Sequence, residues 1–176
     1  MARNLIQRFG ISNPSPNYIL DVATAFRSGI FESSEITFGS GNYGDLASTM
    51  AALLLNKEAR SIVLDTDSSH GSLKEPLLKI IGFMRSMEYE AVQDSPFIEF
   101  HQDTVNRIGQ MAYDIPSVFS FYLPNYEPAG PISAAALVSP ESQLLTTPNT
   151  IASLNGMFSL IKYGFSYVWG GFSLNR

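Results

Sequence analysis

Steps that start an α-helix recur along this chain, and Gly or Pro breaks separate them. Ser15-Pro16 joins a capping hydroxyl to a proline at the first helical position, Ser139-Pro140 repeats the device, and Thr147-Pro148 begins a further helical stretch. Asp45 can cap another helix, while Ser72-Leu73-Lys74-Glu75 matches the capping box, in which Ser and Glu satisfy each other's orphan backbone donors. Such closely spaced starts leave room for short helices and loops, not for one long helix or a large sheet.

Apolar residues follow these starts at helical spacing. Ala2 to Phe9 forms a short helical pattern that stops at Gly10 and Asn13-Pro14. After Pro16 the expected core stripe is Ile19, Val22, Ala23 and Phe26, with Gly29 as the stop. After Asp45 it is Leu46, Met50, Leu53 and Leu54, and after Glu75 it is Leu77, Ile80, Ile81 and Met84. Ser61 to Leu64 reads as a short strand or an extended connection, and a further helix is expected over Pro96 to Ile108. From Ser139 to Lys162 either one helix kinks near Pro148 or two helices meet there, with Ile151, Leu154, Phe158 and Ile161 facing the core.

Asp114 to Pro131 carries four prolines together with Phe119, Phe121, Tyr122 and Tyr126, so it reads as a loop pressed over the core with its aromatics buried. The tail after Gly164 alternates like a strand. The fold class that follows is mainly α: an irregular helical array with long Pro- and aromatic-rich loops, in one domain over residues 1–176 with a tail from 165.

Composition narrows the function classes. Charged residues make up 15% of the 176, against about 25% in ordinary soluble domains. The net charge is −5 and no stretch gathers Lys and Arg, so nucleic acid is not an expected partner. With no cysteine and only two histidines, thiol catalysis, zinc–thiolate sites and multi-histidine metal sites are excluded. No apolar run approaches the roughly 20 residues that span a bilayer. The first residues open inside an amphipathic pattern and lack the apolar stretch of a signal peptide.

Three motifs bear on chemistry. Gly39-Ser40-Gly41-Asn42-Tyr43-Gly44 fits the GxGxxG dinucleotide fingerprint, and Asp65 lies where a ribose-binding acid would belong. Glycines there would let the backbone approach a pyrophosphate at a helix N-terminus. The competing reading is a Gly-rich loop that leads into a capped helix, since Asp45 would place a carboxylate beside the phosphate. Ser159 and Lys162 match the SxxK pattern of serine acyltransferases, but no companion motif accompanies them. The polar run from Asp65 to His70 offers oxygens to a divalent cation without the EF-hand spacing, and His101 with Glu99 and Asp103 reads as a helix's polar face. Neither group makes a metal site, and no cofactor is expected beyond the dinucleotide alternative.

Several phrases in order carry a resemblance. Leu5-Ile6-Gln7-Arg8-Phe9, Ser12-Asn13-Pro14-Ser15-Pro16, Gly44-Asp45-Leu46, Asn56 to Arg60 and Gly71 to Lys79 precede Pro116 to Pro124, Pro128 to Pro131 and Leu137 to Glu141. Together they resemble the C-terminal part of the domain-of-unknown-function family numbered 1800, over about Arg3 to Gly164. The resemblance implies a mainly helical fold, a bacterial and often exported protein, no established activity, and a helix start at Gly44-Asp45-Leu46. Tyr43, Lys74 and Lys79 stand where the family usually has arginine, whose bidentate donors neither residue type reproduces.

Asp45, Glu58, Arg60, Glu75 and Glu141 are the candidate binding residues that the family shares. Arg60 with Glu75 or Glu141 could frame a polar ligand, or all five could serve as helix caps and helix-end charges. With no nucleophile–base pair in view, the sequence reads as a non-catalytic structural or binding segment of a larger exported or envelope-associated protein. Its expected partner is the missing N-terminal part of its own domain, or another protein, and an unusually large exposed apolar patch is expected with it. The alternatives are a dinucleotide-binding oxidoreductase fragment using Gly39, Gly41, Gly44 and Asp65, and an inactive remnant or incomplete gene model.

Overall fold

The computed structural model describes residues 1–34, 36–90, 107–111, 113–118, 120–166 and 170–172, with the backbone alone for Asp65. The chain is mainly helical, with one small two-stranded sheet among the described residues. It divides into two compact units. The first holds Met1–Ser72 and Glu127–Ser139, the second Leu73–Tyr126 and Pro140–Arg176.

In the first unit, helix α1 (Ala2–Phe9) leads to α2 (Pro16–Ser28), where the Ser15 hydroxyl accepts the Tyr18 N–H at 3.1 Å. Gly29 closes α2 in the left-handed conformation. Strands β1 (Phe31–Ser33) and β2 (Ile36–Phe38) then pair antiparallel as a hairpin. Helix α3 (Leu46–Leu55) follows, then the single turn α4 (Lys57–Arg60). Ser61 to Leu64 is no strand: residues Ile62–Thr66 form a 3-10 turn with Ile62 and Val63 exposed. A last short helix, α6 (Pro131–Ala134), belongs to this unit.

The core gathers Ile6, Ile11, Tyr18, Val22, Ala25, Ala52 and Leu53. Its α2 face is Tyr18, Val22 and Ala25, turned by about one residue from the expected stripe. Tyr18 decides this, because its ring is buried and its hydroxyl reaches the Leu53 carbonyl at 2.7 Å. Helix α3 also departs from expectation. It buries Ser48, Thr49, Ala51, Ala52 and Leu53 and leaves Leu46 and Leu54 exposed. Small side chains let α3 approach α2 until the Ser48 hydroxyl donates to the Ala25 carbonyl at 3.1 Å.

In the second unit, α5 (Pro76–Ser86) buries Pro76, Ile80 and Met84, with Leu77 packed against the same core. The capping box expected at Ser72 does not form. Glu75 is the N-cap residue, in extended conformation, and the Ser72 hydroxyl donates to the Gly10 carbonyl within the first unit. Proline at position 76 explains this, since it pushes Glu75 out of the helical region and fixes the helix start at Pro76 itself.

Two helices, not one kinked helix, meet near Pro148. A 3-10 turn (Pro140–Leu144) ends before α7 (Thr147–Tyr163), which Thr146 caps at Asn149. The core of this unit is Ile80, Met84, Ile108, Leu160 and Phe172. In the Pro-rich loop Phe121, Tyr122 and Tyr126 are half-buried rather than buried, and Phe119 lies outside the described residues. The helix expected over Pro96 to Ile108 also lies outside them, except for its helical end at Arg107 and Ile108. Of the tail, Phe165 and Ser166 form a bend and 167–169 are outside the described residues.

Candidate functional site

The candidate acids stand at helix starts. Glu58 lies in the first turn of α4, where the Asn56 side chain accepts its N–H at 2.9 Å. Its carboxylate reaches back to α2. One oxygen accepts the Ser15 N–H at 3.0 Å, and the other accepts the Ser15 hydroxyl in a short hydrogen bond. In a local capping box the third helical residue supplies that acceptor. Here the third residue is Tyr18, an aromatic, and an acid 43 residues away takes the part. The Tyr18 hydroxyl is pushed up to about 12, first by burial and then by the Glu58 charge, so it stays a neutral donor.

Glu58 lines a polar cleft of about 540 Å³ with Asn13, Lys57, Asp67 and His70. Most of its polar groups already have partners. The Asn13 amide pairs with the Val138 N–H at 2.9 Å and carbonyl at 3.0 Å, and Asp67 accepts the Ser69 N–H and hydroxyl, each at 2.8 Å. Those Ser69 bonds, with His70 a smaller influence, hold the Asp67 carboxyl below the usual range. Among the described residues no three His, Asp or Glu side chains could hold a metal ion. His101 lies outside the described residues.

Glu75 makes the corresponding arrangement in the second unit. Its carboxylate accepts the Gln110 side-chain N–H at 2.7 Å and the Tyr122 hydroxyl in a short hydrogen bond. The Gln110 carbonyl oxygen accepts the Leu77 N–H at 3.0 Å, a first-turn donor with no helical partner. Gln110 is only 1% exposed and carries both bonds, yet its local sequence holds no sign of this. Glu141 is buried in the first turn of the 3-10 segment, and Ser159 faces the core of its unit while Lys162 sits 5.1 Å from the Tyr163 ring. Arg60 is exposed at the end of α4, in the first unit, whereas Glu75 and Glu141 belong to the second.

Asp45 caps α3 and also ties the glycine-rich loop. One oxygen accepts the Ser48 N–H at 2.9 Å, the other the Ser40 N–H at 2.9 Å and hydroxyl at 2.7 Å. Gly41 and Gly44 donate their N–H groups to the carbonyls of Gly29 and Phe26, at 3.0 and 2.8 Å. The loop therefore directs the N–H groups of Ser40, Gly41 and Gly44 at its own chain. The strand before Gly39 is the second of an antiparallel hairpin. The Asp65 backbone lies in the 3-10 turn, and its side chain is outside the described ones.

The Ser40 and Ser48 bonds pull the Asp45 carboxyl down to about 2, the Ser40 hydroxyl first among them. A carboxyl lowered on folding stabilises above its unfolded value of 3.8, and loses that effect as pH falls toward about 2. Asp45→Asn keeps an acceptor and removes the charge. Its stability deficit, followed by urea unfolding from pH 7 to 2, is expected to stay constant down to about pH 4 and then to shrink.

Helix α7 holds a different feature. Ile151, Leu154, Phe158 and Ile161 are 55%, 56%, 71% and 64% exposed, so the stripe expected in the core faces outward. At about 100° per residue these four fall within about 80° of arc. The buried face, Gly156, Ser159 and Leu160, lies opposite. The reason is Phe172, whose ring packs so closely on Gly156 that an added Cβ would sit 2.2 Å from it. The small side of α7 admits this ring and turns the large side out.

A family model described as protein of unknown function (DUF1800) matches residues 1–158. No curated protein and no solved structure matches the chain.

Proposed function

The chain belongs to the DUF1800 family, whose description names no activity, and on that premise we propose that it is a non-catalytic helical module that docks the outer face of α7 on another helix. The observation that carries this reading is the exposed stripe Ile151, Leu154, Phe158 and Ile161. Its spacing of three, four and three residues is the narrow seam of helix-on-helix packing. The only charge on α7 is Lys162, so the face has little use for a polar or nucleic-acid partner.

Energetics indicate where the partner helix sits. Full burial of a large apolar side chain is worth about 1.5–3 kcal/mol, so four supply roughly 6–12 kcal/mol at most. Free association costs an estimated 4–15 kcal/mol. A partner held in the same polypeptide or assembly avoids much of that cost. This agrees with a place inside a larger protein, and the family resemblance favours an exported or envelope-associated one. The carboxylates support the non-catalytic half of the reading, because Asp45, Glu58 and Glu75 are engaged at helix starts.

The purified chain is expected to bind a hydrophobic fluorescent dye strongly. Phe158→Ser with Ile161→Ser should lower that fluorescence several-fold without changing the circular dichroism. A wild-type chain that stays a compact monomer with no dye response overturns the docking face. Hydrolase or transferase turnover that disappears in Glu75→Ala or Glu141→Ala overturns the non-catalytic assignment.

A further inference from the structure

A second surface, in the first unit, has different chemistry. Between α1, α2 and the glycine-rich loop lies a groove of about 410 Å³. Its apolar wall includes Leu5, Ile19 and Phe26, and the Tyr43 ring closes one side, edge-on to Phe26 at 5.1 Å between centroids. Tyr43 is 76% exposed. The loop fixes it there through the Gly44 N–H bond to the Phe26 carbonyl and the Asp45 bonds to Ser40. The glycine-rich loop thus builds a groove wall with its tyrosine while the Ser40, Gly41 and Gly44 amides bond to its own chain.

Arg3 from α1 and Arg27 from α2 also line this groove, and among the described residues no Asp or Glu does. Neither guanidinium has an acid partner among the described residues. The nearby carboxylates are engaged elsewhere: Asp45 with Ser40 and Ser48, and Asp21 with the Asn56 amide at 2.8 Å. In a chain of net charge −5, two unpaired arginines beside an apolar wall make a locally positive site. The volume falls within the roughly 300–1,000 Å³ of small-molecule pockets, whose usual make-up is apolar walls with a few placed polar groups.

We propose that this groove binds an amphipathic anion, a single apolar chain with a carboxylate or phosphate head. The chain lies along Leu5, Ile19 and Phe26 under the Tyr43 ring, and the head meets Arg3 and Arg27. Planar guanidinium groups suit both heads, because each can donate two parallel hydrogen bonds to a carboxylate or a phosphate. An acidic peptide is the less fitting occupant, since its polar backbone would lie against Leu5, Ile19 and Phe26.

Isothermal titration tests this on the Phe158→Ser/Ile161→Ser background, which removes binding at α7. Decanoate and decyl phosphate are the probes, below their micelle concentrations, with octyl glucoside as the uncharged comparison. Saturable binding of at least one anion is expected, and the two probes distinguish a fatty acid from a phosphate-headed lipid. Arg3→Gln with Arg27→Gln should weaken it at least tenfold, as loss of a charge-assisted contact predicts. Both arginines are exposed, so the fold should survive, and unchanged circular dichroism confirms it. Absence of saturable anion binding overturns the proposal. So does affinity unchanged in the double arginine variant, equal binding of octyl glucoside, or tighter binding of an acidic peptide of similar length.

Discussion

Gln110→Ala is expected to destabilise the second unit by about 2–4 kcal/mol, a large effect for a residue far from any motif. The side chain joins a Leu77 N–H that has no helical partner to the Glu75 carboxylate, which the Tyr122 hydroxyl also serves. Its carbonyl oxygen accepts the Leu77 N–H, and its amide donates to the Glu75 carboxylate. Truncation leaves a first-turn donor and a half-buried charge each short of one partner, and the hydrogen bond to the charge is the stronger of the two. In a chain of this length about 3 kcal/mol lowers Tm by roughly 6–12 °C. Gln110→Glu gives an independent check. It sets a second carboxylate against Glu75, and like charges in contact hold one of them protonated. That variant should be less stable at pH 7 than at pH 5. Thermal melts of both variants decide the matter, and a Gln110→Ala chain that melts with wild type removes the network from the stability of this unit.

Gly39→Ala is expected to be comparably damaging, at about 3 kcal/mol or more. Gly39 has φ +99, a region that side chains rarely adopt. Its added Cβ would lie 2.1 Å from the Gly29 carbonyl oxygen and 2.7 Å from the Ser48 Cβ. Neither atom can yield easily, because that carbonyl accepts the Gly41 N–H and Ser48 is fully buried between α2 and α3. Backbone strain of about 1–2 kcal/mol therefore adds to an overpacking cost of about 1–3 kcal/mol. Denaturant unfolding measures the loss. It also bears on the loop's geometry, because the side of Gly39 where a Cβ would stand faces the Gly29 carbonyl and Ser48. Titrating NAD(H), NADP(H) and FAD against the wild-type chain tests the dinucleotide alternative, with no saturable binding expected.

Much of the helical framework was legible from local chemistry. Ser15-Pro16, Asp45 and Thr147-Pro148 sit at or beside helix starts, because a short oxygen-bearing side chain and a proline's fixed φ act within one turn. The Ser72 cap failed for an equally local reason, the proline at 76. Faces were harder to read than starts. Counting large apolar residues predicted outward-facing Leu46 and Leu54 on α3, and the whole Ile151 stripe on α7, as core. In both helices the small residues won the interior, since Ser48 and Ala52 admit α2 and Gly156 admits the Phe172 ring. Close approach depends on what the partner brings, and periodicity carries no record of the partner.

The candidate acids were legible as helix-end residues, but their partners were not. Glu58 meets Ser15 and Glu75 meets Gln110 and Tyr122 across long stretches of chain. Spacing rules reach about one turn. Nothing in the type of residue 110 distinguishes a buried bridging amide from an exposed one.

The clamp between Asn13 and Val138 joins positions 125 apart and so bears on how the protein folds. Both belong to the first unit, yet residues 73–126 of the second unit lie between them in the chain. A ribosome that releases α1 and α2 cannot deliver the matching segment until residues 73–126 have also emerged. Long-range closures of this kind slow folding relative to a bundle held by neighbours. Until then the polar groups of Asn13 must be served by water, and the first unit waits for its final piece. Refolding should accordingly be slower than the helical content alone suggests, and truncation before residue 127 should leave the first unit without its closing segment.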